Sequence, residues 1–579
     1  MSKLCDQFKL PIYYNNSKMK LKQNIVDDLE LTTTTDPSSN PIYSYFFNSN
    51  SNSNNINEIS KEIIHQASNY YTTDTEFLRE TQQLLKTYKY SNENADVTHM
   101  VDLWKEIKND TGFKEKYYYL DWAMFEYLNK SENFLQIMSI YNMASPLLSL
   151  CIPIIFMIIP FLIIRLKGLK LNMTEYLEVL KVVVSNHSIG KLFTQFNSVT
   201  TNEKIYMVVS AAFYVFSIYQ NILVCVRFNE NMIKIHKFLK EIDHYLDSTI
   251  NSMSDYITYS TNYESHKDFN HAVQSNIDVL SEFKQKIHSI GEYRMSNYKK
   301  IFEIGHILKY FYEFYDNKIY NDAFMYSFGF HGYIDIIKGL QQNIDERKIS
   351  FAEFTNDNKK TVFKNNYYAC LKDGTPVKNT IRMKKNSIIS GPNASGKTTI
   401  LKSTLINIIF SQQFGCGFYG SALLKPYKYL HCYLNIPDTS GRDSLFQAEA
   451  RRCKEILDLV GSNKDDAHFC VFDELYSGTN PDEAVVSAIA FMEYLIRNQN
   501  VSCMLTTHFV KICKTLKRNN NVRNCHMVAS KDENRIFYTY KLKSGISNIK
   551  GGINVLLDMN YPKEIIDNAI TTTNSLVRP

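Results

Sequence analysis

Apolar residues recur at mixed spacings of three and four between Ile56 and about Leu135, through Ile63, Ile64, Leu78, Leu84, Leu85, Leu103, Trp104, Phe113, Leu120, Trp122 and Phe125. That period marks one face of an α-helix and predicts a helical domain over residues 61–142. The same spacing returns in Met232, Ile235, Phe238, Leu239, Ile242 and Leu246, and again in Ile277, Leu280, Phe283 and Ile287. It predicts a helical core or lever region over residues 227–360. The first 60 residues read differently. Their polar tracts, Thr32–Thr35 and Asn48–Asn55, hold few side chains worth burying and predict a disordered or loose polar tail.

Between the two helical regions, residues 143–226 hold two stretches without a charged side chain, 143–164 and 205–226, each of 22 residues. At about 1.5 Å per helical residue, either could cross a bilayer. Pro146, Pro153 and Pro160 interrupt the first, which membrane helices tolerate better than soluble ones. Ser210, Ser217, Gln220 and Asn221 make the second wetter. Two readings stand: a membrane hairpin, or two helices buried in a large helical core. A hairpin would carry Arg165, Lys167, Lys170, Lys181, Lys191 and Lys204 across the membrane, against the preference of basic loops for the cytosolic side.

Beyond residue 360 the pattern changes to short β-branched runs alternating with helices. Ser387-Ile-Ile-Ser390 leads into Gly391-Pro392-Asn393-Ala394-Ser395-Gly396-Lys397-Thr398-Thr399, followed by an apolar helix through Ile400, Leu401, Leu405, Ile406, Ile408 and Ile409. A strand, a Gly-x4-Gly-Lys-Thr loop and a helix make a P-loop, so the fold class is an α/β P-loop NTPase preceded by a mainly helical region. Its glycines let backbone N–H groups curl around phosphate oxygens, and the helix points its positive end at them. Lys397 is placed to reach the β- and γ-phosphates of ATP, and the Thr398 hydroxyl to take one Mg²⁺ position. A second strand, His468-Phe-Cys-Val-Phe-Asp473-Glu474, ends in the carboxylates such a site needs: Asp473 for the metal and Glu474 to orient or deprotonate water. A third apolar run, Cys503-Met-Leu-Thr-Thr-His508, ends in a histidine that would approach the γ-phosphate from the same sheet edge.

These motifs, together with Asp438-Thr-Ser-Gly441-Arg-Asp-Ser444-Leu-Phe-Gln-Ala-Glu449, Phe472-Asp-Glu-Leu-Tyr-Ser-Gly478-Thr479 and Thr506-Thr507-His508-Phe509, resemble the ATPase domain of the MutS mismatch-repair family. The likeness covers residues 361–579 and continues through Tyr540–Gly545, Gly551-Gly552-Ile-Asn-Val and Tyr561–Ala569. Upstream, Val377-Lys-Asn379-Thr-Ile381 resembles the strand before that family's P-loop. The resemblance implies a homodimer with ATP and Mg²⁺ at the subunit interface, each site completed by the Ser444 region of the other copy. It also implies work on double-stranded DNA in mismatch repair or recombination. The transporter-type Leu-Ser-Gly-Gly-Gln signature is absent, which favours the MutS branch. Ser477 stands where the family usually has Arg, and Lys550 where it has an aromatic residue. Phe311-Tyr312-Glu313 invites comparison with the family's mismatch-reading Phe-x-Glu, but its position close before the ATPase marks it as helix packing.

Composition narrows the partners. Residues 361–579 carry 28 Lys+Arg against 18 Asp+Glu, so the basic excess of the whole chain, +6, lies in the C-terminal third. This permits nucleic acid without requiring it. The Lys511, Lys514, Lys517 and Arg518 cluster reads first as a solvated helix face. Eleven cysteines without Cys-x-x-Cys pairs predict a reducing cytoplasmic or nuclear compartment. The charged start, Met1–Leu10, lacks the apolar core of a signal peptide. Three readings follow for the whole chain: a DNA-binding MutS-like ATPase, a membrane-anchored MutS-like ATPase without mismatch recognition, and an ATP-binding scaffold, the last opposed by the intact Asp473-Glu474 pair.

Overall fold

The computed structural model describes residues 6–47, 58–89, 96–168, 172–186, 200–288, 290, 302–357, 360–434, 444–532, 535–547, 549, 556–557, 559 and 561–577. They fall into two compact units, one of residues 1–92, 252–276 and 325–579, the other of residues 93–251 and 277–324.

The N-terminal segment is folded. Strand β1 (Lys18–Lys20) leads through helices α1 (Gln23–Asp28), α2 (Ile42–Phe47) and α3 (Glu58–Ala67) to β2 (Tyr70–Thr72), which pairs antiparallel with β1. Helix α4 (Thr75–Thr87) follows, its first turn held by Asp74, which accepts from the Glu76 and Phe77 N–H groups. Phe8, Leu10, Ile25, Val26, Leu29, Leu31, Ile42, Tyr43, Phe46 and Phe47 are all buried. This corrects the expectation of a loose tail over residues 1–60. The apolar positions are spaced irregularly among polar ones, so no local period announces them, and their partners lie hundreds of residues away. Phe46 stacks on Phe410 with ring centroids 3.9 Å apart, and the Tyr43 hydroxyl donates to Gln413 at 2.8 Å. The Asn48–Asn55 tract lies outside the described residues.

The middle of the chain is helical, as its spacing predicts: α5 (Val97–Lys108), α6 (Glu132–Leu166), α7 (Met173–Asn186), α8 (Thr201–Ser260), α9 (Lys267–His288), α10 (Ile304–Asp316) and α11 (Lys318–Asp345). The residues that set the period, Met232, Ile235, Phe238, Leu239, Ile242 and Leu246, are buried together on one face of α8. Phe311 and Tyr312 are buried too. Phe311 packs beside Phe113 and Tyr117, and the Tyr312 hydroxyl donates to Glu126 at 3.0 Å.

The C-terminal third carries two sheets. Its strands are β3 (Ser350–Phe354), β4 (Val362–Asn366), β5 (Asn379–Arg382), β6 (Asn386–Ser390), β7 (Cys416–Gly417), β8 (Ser421–Leu424), β9 (Tyr429–Tyr433), β10 (His468–Asp473), β11 (Val501–Thr507), β12 (Val522–Asp532) and β13 (Arg535–Ser544). The larger sheet has order β13-β12-β6-β11-β10-β9, parallel except for the antiparallel edge pair β12–β13; the smaller has order β5-β4-β8-β3-β7. Because β3 belongs to the smaller sheet, this part of the fold begins earlier than residue 361. Helices α12 (Lys397–Phe414), α13 (Leu445–Ser462), α14 (Pro481–Leu495), α15 (Val510–Leu516) and α16 (Lys563–Val577) complete it. Phe472, Cys470, Leu505 and Ile388 pack with Phe491, Met492, Ile512 and Ile456 into one core. Helix α12 is buried on nearly every side, its polar Ser403, Asn407, Gln412 and Gln413 included, so it is enclosed by its neighbours. It touches β10, β11, β2 and α4, so the N-terminal segment finishes its burial.

Candidate functional site

Strand β6 is buried along its whole length between β11 and β12. Its chain leaves the sheet at Gly391 and re-enters helix at Lys397. The loop between needs glycine for stated reasons. Gly396 has φ +90°, and a Cβ on Gly391 would meet Ser395 Oγ at 2.8 Å. Ala394 also adopts a left-handed backbone, φ 62°. The loop wraps the end of the Lys397 side chain, whose Nζ donates to Gly391 O and Pro392 O, both at 3.2 Å, and to Asn393 Oδ1 at 3.4 Å. Lys397 is only 6% exposed, and its nearest carboxylate, Glu474 Oε1, stands 3.5 Å away. Ser395 Oγ is buried without a hydrogen-bond partner among the described residues. An ammonium held by carbonyls and an orphan hydroxyl in one loop are donors suited to phosphate oxygens.

The parallel pairing of β10 with β11 places Asp473 opposite Thr506. Both Asp473 oxygens are held: Thr398 Oγ1 donates to Oδ2 at 2.7 Å, and the Thr506 hydroxyl donates to Oδ1. Thr398, Asp473 and Thr506 thus form the hydroxyl-carboxylate set that suits octahedral Mg²⁺, which takes one or two carboxylates and keeps several waters. Glu474 follows at φ 50°, a left-handed conformation that turns its side chain off the strand direction. His508 Nδ1 lies 3.5 Å from Glu474 Oε1. The hydrogen bond from His508, then the Lys397 charge, hold the Glu474 carboxyl below the ordinary glutamate range against the opposing pull of burial. Glu474 is therefore ionised at neutral pH. Lys397, Thr398, Asp473, Glu474 and His508, foreseen from three separate motifs, come together here.

A cavity of about 780 Å³ opens beside this cluster, lined by Asn393, Ala394, Gly396, Lys397, Thr398, Thr399, Asp473 and Glu474. Its volume lies in the range of ligand pockets. Tyr367, Tyr368 and Met527, which escape motif reading, also line it, as does Tyr540 at the start of the Tyr540–Gly545 segment. Tyr540 sits in a left-handed conformation (φ 54°) with its ring 3.2 Å from where a Gly396 Cβ would be. Asn379 fixes it there, donating to Tyr540 O at 2.9 Å and accepting from Leu542 N at 2.8 Å.

Ser444 does not line the cavity. It caps α13 in a reciprocal box: its Oγ accepts from Gln447 N at 3.3 Å, and its own N–H donates to Gln447 Oε1 at 2.9 Å. The exposed Ser444 is free to meet another surface. One turn along the same helix, Glu449 is 2% exposed. It accepts from Ser477 N and Ser477 Oγ at 3.0 Å and from Gly478 N at 3.1 Å. This buried carboxylate ties α13 to the turn behind Glu474. Gly478 is required there, since a Cβ would come within 2.7 Å of Leu445. The Glu449 role is not read from the sequence, where the residue only closes the Ser444–Glu449 segment of the family resemblance. Lys511, Lys514, Lys517 and Arg518 are exposed, as a solvated face demands. Asp438, Gly441, Lys550, Gly551 and Gly552 lie outside the described residues.

The family profile "MutS domain V" matches residues 387–577. A DNA mismatch repair protein MutS of Persephonella marina is 27% identical over 245 residues, 41% of this chain and 28% of that protein. A MutS of Leuconostoc mesenteroides is 24% identical over 251 residues, 42% of this chain and 29% of that protein. The DNA mismatch repair protein Msh3 of Dictyostelium discoideum is 26% identical over 221 residues, 35% of this chain and 15% of that protein. The chain thus spans less than a third of the length of these relatives. In its C-terminal third, residues 387–577, the chain carries a match to MutS domain V and is similar at low identity to MutS-family proteins.

Proposed function

We propose that the C-terminal third is a P-loop ATPase that binds ATP with Mg²⁺ and couples binding and hydrolysis to a conformational change in a homodimer. The observation that carries this reading is the convergence of Lys397, Thr398, Asp473 and Glu474 on one side of a cavity large enough for a nucleotide. Lys397 exchanges its carbonyl partners for β- and γ-phosphate oxygens. Thr398 and Asp473 hold the metal, which when bound neutralises charge developing on those oxygens. Ionised Glu474 orients the attacking water and accepts its proton at a carboxylate oxygen. His508 hydrogen-bonds Glu474, lowering its pKa further, and senses the γ-phosphate from the same edge of the sheet. Ser444, exposed on the N-terminal turn of α13 and absent from its own cavity, completes the site of a second copy.

Replacing Glu474 by Gln keeps the shape and removes the base. ATP binding should survive while turnover falls roughly 10²-fold or more. Unchanged turnover would remove Glu474 from this role. For the biological task, the names of the relatives favour DNA mismatch repair, and the basic excess of residues 361–579 agrees with work on DNA in repair or recombination. Retention on heteroduplex against homoduplex DNA across a salt series separates mismatch reading from general phosphate binding. The compartment that follows is reducing, cytoplasmic or nuclear, on the ATPase side.

A further inference from the structure

We propose that α6 and α8 form a hairpin inserted in a lipid bilayer, with the hydrocarbon core covering the apolar surface that the protein leaves open. Both helices are long and apolar enough to cross a membrane. That property alone is shared by core helices, so the argument rests on what the folded chain does with them.

The first observation is register. Cys225 Sγ lies 3.6 Å from Met143 O, Ser145 Oγ 3.5 Å from Asn221 O, and the Tyr214 hydroxyl donates to Ser149 O at 3.2 Å. The helices therefore run antiparallel where Met143–Ser149 meets Tyr214–Cys225. This pairing lays the uncharged stretch 143–164 alongside the uncharged stretch 205–226. The two merge into a single slab about 33 Å thick, close to a hydrocarbon core of about 30 Å. Arg165 and Lys167 stand with Lys204 at one border of the slab, and Arg227 marks the other on α8, while on α6 the uncharged run continues back to Glu132.

The second observation is exposure. None of the residues in the most apolar window of α8 is buried. Ile205, Tyr206, Val208, Val209, Phe213, Val215, Phe216, Tyr219 and Ile222 are exposed, covering an arc of about 200° at 100° per residue. Soluble amphipathic helices present a stripe near half that width. On α6, Leu147 is 65% exposed, and Leu150, Ile158, Ile159, Leu162 and Ile163 are exposed as well. An arc this wide suits a fluid solvent on all outward sides better than a single flat partner.

The third observation is how the polar groups are handled. Ser145 Oγ donates to Asn142 O at 3.0 Å and Ser149 Oγ to Pro146 O at 2.8 Å. Hydroxyls satisfied within their own helix, and small residues at the helix contact, are what hydrocarbon requires. Gln220 is exposed about two turns before Arg227, where an amide reaches the headgroup level.

The geometry puts Arg227 at one face of the bilayer, with Glu132 further out on the same side, and Arg165, Lys167 and Lys204 at the other. The test is synthesis of the full chain in the presence of sealed phosphatidylcholine vesicles, followed by an alkaline carbonate wash and flotation. The wild-type chain should float. Lysines at Leu150, Phe213 and Val215, near the middle of the slab and already facing outward, should cut the floating fraction roughly tenfold. The tryptic pattern of residues 361–579 should be unchanged in that variant, showing that its fold survives. Trypsin added outside sealed vesicles should leave a protected fragment holding residues 143–226. Cleavage at Lys181 from outside overturns the spanning topology. Release of the wild type by carbonate, or a detergent-free monodisperse dimer with these faces mutually covered, overturns the bilayer as the occupant.

Discussion

Thr398 and Asp473 stand 75 residues apart in the chain, yet the Thr398 hydroxyl donates to Asp473 Oδ2 at 2.7 Å. The contact is made because β6 and β10 flank β11 in one parallel sheet, so the loop after one strand meets the end of the other. With both side chains on one Mg²⁺, chelation by EDTA should weaken ATP binding roughly tenfold or more, about 1.4 kcal/mol. Asp473→Asn should bind ATP weakly whether or not EDTA is present. Fluorescent-nucleotide titration reads both; an EDTA-insensitive wild type would exclude the metal from this pair.

His508 is the main influence holding Glu474 below its ordinary pKa. His508→Ala removes that hydrogen bond, so the Glu474 pKa rises and the residue protonates at higher pH. The acid limb of kcat should therefore move to higher pH, with the plateau above it retained in part. A pH–rate profile that merely drops in height, with its acid limb in place, would mean that His508 does not act through Glu474.

Glu449 takes three hydrogen bonds from the Ser477–Gly478 turn in a buried setting. Glu449→Leu leaves those donors unsatisfied and should cost about 3 kcal/mol. Glu449→Gln keeps one acceptor oxygen and should cost less. Denaturant midpoints of the two variants give the comparison, and a Glu449→Leu variant as stable as the wild type would show that these hydrogen bonds do not hold the turn.

Phe46 stacks on Phe410 of α12. Phe46→Ala should lower stability by about 3–5 kcal/mol, as for other large core truncations. A loose tail would lose nothing. Thermal unfolding followed through the C-terminal third decides between them.

His266 is buried against Phe77 and has no partner for Nδ1 among the described residues; burial lowers its pKa to about 4. The unfolded chain, with a histidine pKa near 6.5, then binds more protons than the folded one between about pH 6.5 and 4. Stability rises with pH across that window and is lost as pH falls, on the order of 3 kcal/mol from this group by pH 4. His266→Asn should flatten the fall by that amount in melts taken from pH 7 to 4.5.

The nucleotide-binding residues were legible in the sequence because their geometry is local. Gly391 to Thr398 fixes a loop by its own backbone, and the residues at the tips of β10 and β11 follow from two apolar runs of strand length. The helical period of α8 was equally plain, since Met232 to Leu246 repeat on one face whatever they touch. Burial is different, because it belongs to pairs of distant segments. Phe8 to Phe47 lie among polar residues without a period, and only the approach of α12 makes them core. Glu449 is an ordinary helical glutamate until the Ser477–Gly478 turn arrives with three donors. The two uncharged stretches could equally be core or membrane helices by composition; only the tertiary contacts between α6 and α8 set their antiparallel register and leave their apolar side chains facing outward.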